Sequence, residues 1–86
     1  MRKVTIYTTN YCGFCRRAKA ILKQQSVPFD EINVEDDDEK REWLQRVTGQ
    51  HTVPQIFFDD EAIGGCMDLE ELIRKGTLDE KVGKVA

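Results

Sequence analysis

Two cysteines three positions apart, Cys12 and Cys15, stand where one type of periodicity in this sequence gives way to another. Residues 3–8 alternate along the chain as a strand does, whereas from Gly13 onward the apolar residues recur at helical spacing. The junction therefore places both sulfurs at the start of a helix, beside the carboxyl end of a strand. Because unpaired N–H groups and the helix dipole favour negative charge at that end, the motif predicts a redox pair.

The two thiols are predicted to have different roles. A thiol at a helix start in such a motif ionises readily when cations lie nearby, and Arg16 and Arg17 follow directly. Cys12 is therefore the predicted nucleophile. Cys15, one turn further along and less exposed, is predicted to attack a mixed disulfide on Cys12 and to release the bound partner.

A structural zinc site is the main alternative for a motif of this kind. Cys12, Cys15, His51 and Cys66 form a nominal set of three cysteines and one histidine. Structural zinc modules usually place their ligands in two close pairs, whereas His51 and Cys66 lie far from each other and from the first pair. The spacing thus favours redox chemistry without a bound metal, and His51 is predicted to be a surface residue.

Length and charge exclude several other classes of protein. Eighty-six residues make one domain, residues 1–86, and 40% hydrophobic residues allow a modest core. Thirteen basic residues against 16 acidic ones leave a net charge of -3, which disfavours nucleic-acid binding. No apolar run is long enough to cross a bilayer, so no membrane association is expected. Three cysteines, an odd number, fit poorly with a secreted disulfide framework and indicate a reducing, cytoplasmic location.

Periodicity and turn residues predict the order β-α-β-α-β-β-α, which is an α/β domain. A strand, a crossover helix and a second strand imply parallel pairing, and the turn at Asp59-Asp60 implies an antiparallel hairpin. The predicted fold is a four-stranded mixed sheet flanked by three helices, and residues 76–86 are predicted to form a loose C-terminal tail. The predicted strands span residues 3–8, 29–34, 55–58 and 61–63. The predicted helices span residues 13 to about 25, from a cap at residues 36–38 to about residue 48, and 68–75.

The acidic run at residues 35–39 lacks the glycine and the alternating carboxylates of a calcium loop. We interpret it as a cap, because carboxylates are favourable at the start of a helix. Gly49 is predicted to end the same helix. The residues predicted to face the core on the second strand and second helix are Ile32, Val34, Trp43, Leu44 and Val47.

The order of elements and three short motifs resemble the glutaredoxin family over nearly the full chain. The motifs are CGFC at residues 12–15, TVPQIF at residues 52–57 and GGCMDL at residues 64–69. The resemblance implies a thioredoxin-like fold and a glutathione-dependent thiol-disulfide oxidoreductase. Such an enzyme reduces protein-glutathione mixed disulfides and protein disulfides through the Cys12/Cys15 pair. Its partners are glutathione, as reductant, and glutathionylated or disulfide-bonded client proteins.

The resemblance also implies where glutathione binds. In glutaredoxins the bond before the proline of the second motif is cis, which would place Val53 and Pro54 against the Cys12 sulfur. The backbone of Val53 would pair with glutathione as with an added strand, and the helix start at residues 65–68 would bind its γ-glutamyl carboxylate. The implied glutathione-binding residues are Tyr11, Phe14, Arg16, Thr52, Val53, Pro54, Gly65, Cys66, Met67 and Asp68.

Departures from the family pattern leave two alternatives open. The Gly-Phe pair between the cysteines resembles the monothiol class, which holds a shared 2Fe-2S cluster with glutathione, although Cys15 stands where that class has serine. Such a cluster would be bound by Cys12 and two glutathiones in a dimer, whereas a monomer is otherwise expected. Thr9 stands where many members have lysine, and Met67 where many have a second aspartate. The second alternative is therefore a hydrogen donor reduced by a thioredoxin-reductase-like flavoenzyme.

Overall fold

A computed structural model of the chain describes residues 1–84, which form four strands and four helices in the order β-α-β-α-β-β-α-α. Within these residues no helix is long and apolar enough to cross a membrane. The elements are β1 (Val4–Thr8), α1 (Gly13–Gln24), β2 (Asp30–Asn33), α2 (Asp38–Thr48), β3 (Gln55–Phe58), β4 (Glu61–Gly64), α3 (Cys66–Arg74) and α4 (Leu78–Val82).

The four strands form one mixed sheet in the order β2-β1-β3-β4. β1 runs parallel to β2, because α1 crosses over between them, and antiparallel to β3. β3 and β4 form the antiparallel hairpin that the turn residues predict, with Asp59 in the left-handed region at a φ of 53°. The predicted α/β fold with a four-stranded mixed sheet is therefore confirmed.

The alternation along β1 assigns its side chains to two separate cores, one on each face of the sheet. Val4 and Ile6 pack with residues of α1 and α3, whereas Tyr7 packs on the other face beneath α2. There Trp43 stacks on Phe57 with ring centroids 5.8 Å apart, which confirms its predicted place in the core. β1 is an inner strand of a sheet with helices on both faces, so it lies at the centre of the domain. The loop that carries Cys12 follows its carboxyl end.

The caps of α2 form as the acidic run predicts. The Asp37 carboxylate accepts a hydrogen bond of 3.0 Å from the Lys40 N–H, which satisfies one of the unpaired donors at the helix start. Gly49 ends the helix at a φ of 74°, a left-handed conformation that glycine adopts without steric cost. The acidic run therefore has a structural role in the helix start.

Two predictions of buried side chains are wrong. Ile32 is 38% exposed and Val47 is 49% exposed. β2 is an edge strand. Val34, which follows it, packs with Leu44 of α2, whereas Ile32 belongs to neither core cluster and lies at the open edge of the sheet. Val34 and Leu44 are buried as predicted.

The predicted loose tail is also wrong for the residues that the structure describes. α4 is a fourth helix, and it buries Leu78 and Val82 in the same core as α1 and α3. The Arg2 N–H donates a 2.8 Å hydrogen bond to the Val82 carbonyl, which connects this helix to the chain ahead of β1. Of the predicted tail, only residues 85 and 86 lie outside the described residues.

Candidate active site

Cys12 is the N-cap residue of α1, directly after the loop that leaves β1. Its Sγ accepts a hydrogen bond of 3.1 Å from the Cys15 N–H. Its thiol also lies 3.8 Å from the carbonyl oxygen of Val53, across the site. An N–H group and the positive end of a helix therefore both point at this sulfur. The helix thus begins one residue later than Cys12, and the sulfur itself acts as the cap.

The other two thiols are buried. Burial raises the pKa of the Cys15 thiol to about 12, and a hydrogen bond to Cys12 acts in the same direction. Burial also raises the pKa of the Cys66 thiol, and a hydrogen bond to Glu70 adds to this effect. A thiol with a raised pKa stays protonated at neutral pH, and a protonated thiol is a poor nucleophile. Cys12, which is partly exposed, is therefore the thiol available for attack on an incoming disulfide.

The residues of the zinc alternative do not come together. Within residues 1–84, no three His, Cys, Asp or Glu side chains converge in a group that could hold a metal ion. His51 is exposed, and its Nε2 lies 3.1 Å from the side-chain nitrogen of Gln45. The surface position predicted for His51 is therefore confirmed.

A groove of about 290 Å³ lies beside Cys12, between the loop that precedes β3 and the start of α3. The two walls approach closely, since a Cβ added at Gly65 would lie 3.4 Å from the carbonyl oxygen of Pro54. Phe14 forms the rim on the α1 side. The residues that line the groove are Phe14, Gln50, Thr52, Val53, Pro54, Gly65, Cys66, Met67 and Asp68.

Most of the residues implied to bind glutathione therefore lie together, and two do not. Tyr11 is 98% exposed and Arg16 is exposed, and neither lines the groove. Arg17, expected to supply positive charge near Cys12, forms an ion pair of 2.6 Å with Glu70 of α3. Of the two arginines expected to place positive charge near Cys12, Arg17 is instead paired with a carboxylate on α3.

The loop before β3 presents its backbone to the groove. The Val53-Pro54 peptide bond is cis, as the resemblance implies. Within residues 1–84 the N–H of Val53 has no hydrogen-bond partner. Its carbonyl faces the Cys12 sulfur. An extended peptide lying in the groove would find both a backbone donor and a backbone acceptor beside the sulfur.

Gln55 fixes the shape of this loop, and sequence reasoning missed it. Its side chain is 1% exposed, and its Nε2 donates to the Thr52 carbonyl at 2.8 Å and to the Gln50 side chain at 3.2 Å. The available signal was a polar residue at the start of an otherwise apolar strand. Such a residue is usually buried only when its polar atoms find partners.

Asp68 organises the start of α3. Its carboxylate accepts a hydrogen bond of 2.9 Å from the Gly65 N–H and thereby caps the helix. The next N–H groups, those of Cys66 and Met67, belong to the first turn of the helix, and both residues line the groove. The same carboxylate borders the groove, so a cationic ligand group could meet it there.

Gly64→Ala is expected to lower the free energy of unfolding by about 1–3 kcal/mol, the usual cost of a strained backbone position. Gly64 has a φ of 120°, and a Cβ there would lie 2.6 Å from Cγ of Asp68. The substitution therefore also disturbs the cap of α3. Urea denaturation measures the effect. Gly13→Ala is the matched control, because no atom lies within 4 Å of a Cβ at that position. Equal losses in the two variants would contradict the role assigned to Gly64.

Comparisons with known proteins agree with this geometry. A protein-family model described as Glutaredoxin matches residues 4–63. Glutaredoxin 3 of Escherichia coli strain K12 is 46% identical over 79 residues, covering 92% of this chain and 95% of that relative. The solution structure of glutaredoxin from Brucella melitensis has a TM-score of 0.85 at 41% identity, covering 100% of this chain and 96% of that chain. The crystal structure of a buckwheat glutaredoxin-glutathione complex has a TM-score of 0.86 at 28% identity, covering 99% of this chain and 83% of that chain.

Proposed function

This chain belongs to the glutaredoxin family, and on that premise we propose that it is a glutathione-dependent thiol-disulfide oxidoreductase working through Cys12 and Cys15. The observation that carries the proposal is the position of the Cys12 sulfur. It lies 3.8 Å from the Val53 carbonyl at the edge of a groove, and it accepts a hydrogen bond of 3.1 Å from the Cys15 N–H. A reactive sulfur thus stands beside free backbone groups that suit a small peptide.

Glutathione is the peptide that this groove suits. It is short and extended, it carries a carboxylate and an ammonium on its γ-glutamyl end, and its reactive atom is a thiol near the middle. The Val53 backbone would pair with its cysteinyl part, and the α3 start would receive the γ-glutamyl carboxylate. Asp68 would face the ammonium. The buckwheat relative was crystallised as a glutathione complex, which supports the same partner here.

The reaction consists of two thiol-disulfide exchanges. The Cys12 thiolate attacks the glutathione sulfur of a glutathionylated protein, so the Cys12-glutathione disulfide forms and the client leaves as a thiolate, which takes a proton from water. A second glutathione, as its thiolate, then attacks the glutathione sulfur on Cys12. This step yields oxidised glutathione and regenerates the Cys12 thiolate. The net reaction consumes one free glutathione thiol, which ends in a disulfide with the glutathione that the client carried, and the client sulfur is reduced to a thiol.

Protein disulfides would require both cysteines. Attack by Cys12 on the client disulfide gives a mixed disulfide between the two proteins. Cys15 then attacks the Cys12 sulfur, the client leaves as a dithiol, and a Cys12-Cys15 disulfide remains for glutathione to reduce. Because glutathione keeps the cytoplasm reducing, we propose the cytoplasm as the place of action.

A 2Fe-2S cluster would have one accessible ligand in this chain. Cys15 and Cys66 are buried, and only Cys12 has a partly exposed sulfur. The cysteines within residues 1–84 therefore do not fit a cluster held by one chain alone. A cluster bound here would need further ligands from a second chain and from glutathione thiolates. Cluster binding remains the alternative that the test below distinguishes.

The test is turnover of a glutathionylated peptide with glutathione as sole reductant, followed through glutathione reductase and its nicotinamide cofactor. We expect turnover that saturates with glutathione. Gln50→Glu, which adds a negative charge to the groove, should raise the KM for glutathione severalfold, because glutathione carries two carboxylates. Gln24→Glu makes the same charge change at an exposed position on α1 outside the groove and is the matched control.

Two results would overturn the proposed activity, and a third would overturn the proposed glutathione site. Absence of turnover with glutathione, together with turnover supported by a thioredoxin-reductase-like flavoenzyme, would assign the chain as a flavoenzyme-reduced hydrogen donor. Absence of turnover in a brown dimer isolated without oxygen, with colour lost in Cys12→Ser, would assign it as a cluster carrier. Equal KM values for Gln50→Glu and Gln24→Glu would place the glutathione site outside this groove.

A further inference from the structure

Lys19 is held by a hydrogen-bond network that joins three elements, α1, β2 and β1. Its Nζ lies 3.0 and 3.2 Å from the two carboxylate oxygens of Glu31, so α1 is connected to β2. The hydroxyl of Thr8, which is 1% exposed on β1, donates to the same carboxylate at 2.7 Å. The Lys19 side chain is 27% exposed, although an unrestrained lysine on a helix surface extends into water. The ammonium is therefore kept near the protein.

The Glu31 carboxyl in this network is ionised at neutral pH. The hydrogen bond from Thr8, and then the hydrogen bond and charge of Lys19, hold the pKa of the Glu31 carboxyl below its usual value. A carboxyl with a lowered pKa is ionised at neutral pH, so Glu31 retains Lys19 through the pH range in which the redox pair works. Lys23, on the next turn of α1, also acts on Glu31.

Lys19 lies one helical turn beyond Cys15, on the same side of α1. Burial, and after it the hydrogen bond with Cys12, raise the pKa of the Cys15 thiol, whereas the Thr9 backbone and, as the smallest of these effects, the Lys19 charge lower it. The Lys19 charge thus favours the thiolate form of the buried sulfur.

The balance among these groups changes when Cys12 reacts. A Cys12 sulfur in a mixed disulfide carries no negative charge, so it no longer repels a Cys15 thiolate. The remaining opposition is burial, and the remaining support is the Thr9 N–H and Lys19. Lys19 therefore matters most in the intermediate, at the moment when Cys15 must become a nucleophile.

We propose that Lys19, fixed by Glu31 and Thr8, is a positioning residue for the resolving step, in which its charge stabilises the thiolate of Cys15. In that step Cys15 loses its proton to water and attacks the Cys12 sulfur. The Cys12-Cys15 bond forms, the bond from Cys12 to the partner sulfur breaks, and the partner leaves with the electron pair as a thiolate. The inference rests on the proposed function, in which Cys15 resolves protein mixed disulfides, and it leaves reactions that use Cys12 alone independent of Lys19.

The test follows this step without glutathione, so its failure is distinct from failure of the proposed function. The reduced protein is mixed with an aromatic disulfide reagent that releases a coloured thiolate. Attack by Cys12 releases the first equivalent, and attack by Cys15 on the mixed disulfide releases the second. Stopped-flow absorbance separates the two phases, and Cys15→Ser, which lacks the resolving thiol, identifies the second. The variants are Lys19→Gln, Lys19→Arg and, as a matched control, Lys23→Gln, which removes an exposed charge one turn away.

In Lys19→Gln we expect a second phase that is slower at neutral pH, by up to about threefold, because losing a nearby cation lowers the thiolate fraction of Cys15 more than it raises the nucleophilicity of that thiolate. Above the thiol pKa the same variant should be as fast as wild type or faster, because a more basic thiolate is the better nucleophile. Lys19→Arg should restore the neutral rate. The first phase should be unchanged in all variants, which also shows that the Cys12 loop is intact.

Three results would overturn the proposal. A second phase in Lys19→Gln that matches wild type at every pH would remove any role for Lys19. A loss by the same factor at every pH, not restored by Lys19→Arg, would indicate a structural role. An equal effect in Lys23→Gln would attribute the change to overall charge rather than to the position that Glu31 and Thr8 give to Lys19.

Discussion

Cys12→Ser is expected to abolish both deglutathionylation and disulfide reduction, to below about 1% of wild-type turnover, because a serine hydroxyl is un-ionised at neutral pH and a weak nucleophile. Cys15→Ser is expected to retain deglutathionylation and to lose reduction of protein disulfides. The asymmetry follows from the structure, in which Cys12 is partly exposed at the helix cap, whereas Cys15 is 1% exposed with a pKa raised to about 12 by burial.

Both variants would be measured with a glutathionylated peptide and with a protein disulfide, under the same glutathione concentration. The two substitutions make the same chemical change at neighbouring thiols, so each is the control for the other. Residual activity of Cys12→Ser comparable to that of Cys15→Ser would contradict the assignment of the nucleophile. Loss of deglutathionylation in Cys15→Ser would show that the second thiol takes part in reactions assigned here to Cys12 alone.

Leu78→Ala is expected to lower the free energy of unfolding by about 2–4 kcal/mol, the usual cost of truncating a buried leucine. Leu78 is 3% exposed and lies in the core that also contains Leu22 and Leu69. A loss of this size is a large part of the stability of a small domain, which is about 5–15 kcal/mol. Urea denaturation followed by circular dichroism measures it.

Glu80→Ala in the same helix is the control, because Glu80 is exposed and surface substitutions usually change stability by less than about 0.5 kcal/mol. A cost for Leu78→Ala as small as that of Glu80→Ala would show that the segment is a loose tail after all. Turnover of the folded variant should remain near wild type, since Leu78 lies apart from the groove.

The elements that sequence analysis predicted correctly depend on contacts between near neighbours in the chain. The alternation of β1 and the helical spacing of α1 are visible within a few residues, and they place Cys12 at their junction. Asp37 caps α2 through an N–H three residues away, and Gly49 ends the same helix through its own backbone conformation. Such interactions join residues only a few positions apart, so the sequence alone specifies them.

The groove could not have been derived from local pattern. Cys12 and Val53 meet from positions 41 residues apart, and the family resemblance, rather than periodicity, indicated that they would. The role of Gln55 in shaping the loop likewise depends on burial, which a single polar residue in a short strand does not reveal. The placement of Arg17 against Glu70 brings together residues 53 positions apart and redirects a charge that the sequence suggested was near Cys12.

By itself the sequence determined the order of the four strands and the first three helices, the caps of α2 and the position of the redox pair at a helix start. The tertiary structure decided that Leu78 and Val82 lie in a fourth helix on the core, that Ile32 on the edge strand β2 is exposed, and that Lys19 is held by Glu31. The physical reason is that periodicity and capping act between residues up to four apart. Burial and ion pairing between distant segments depend instead on how the finished elements stack.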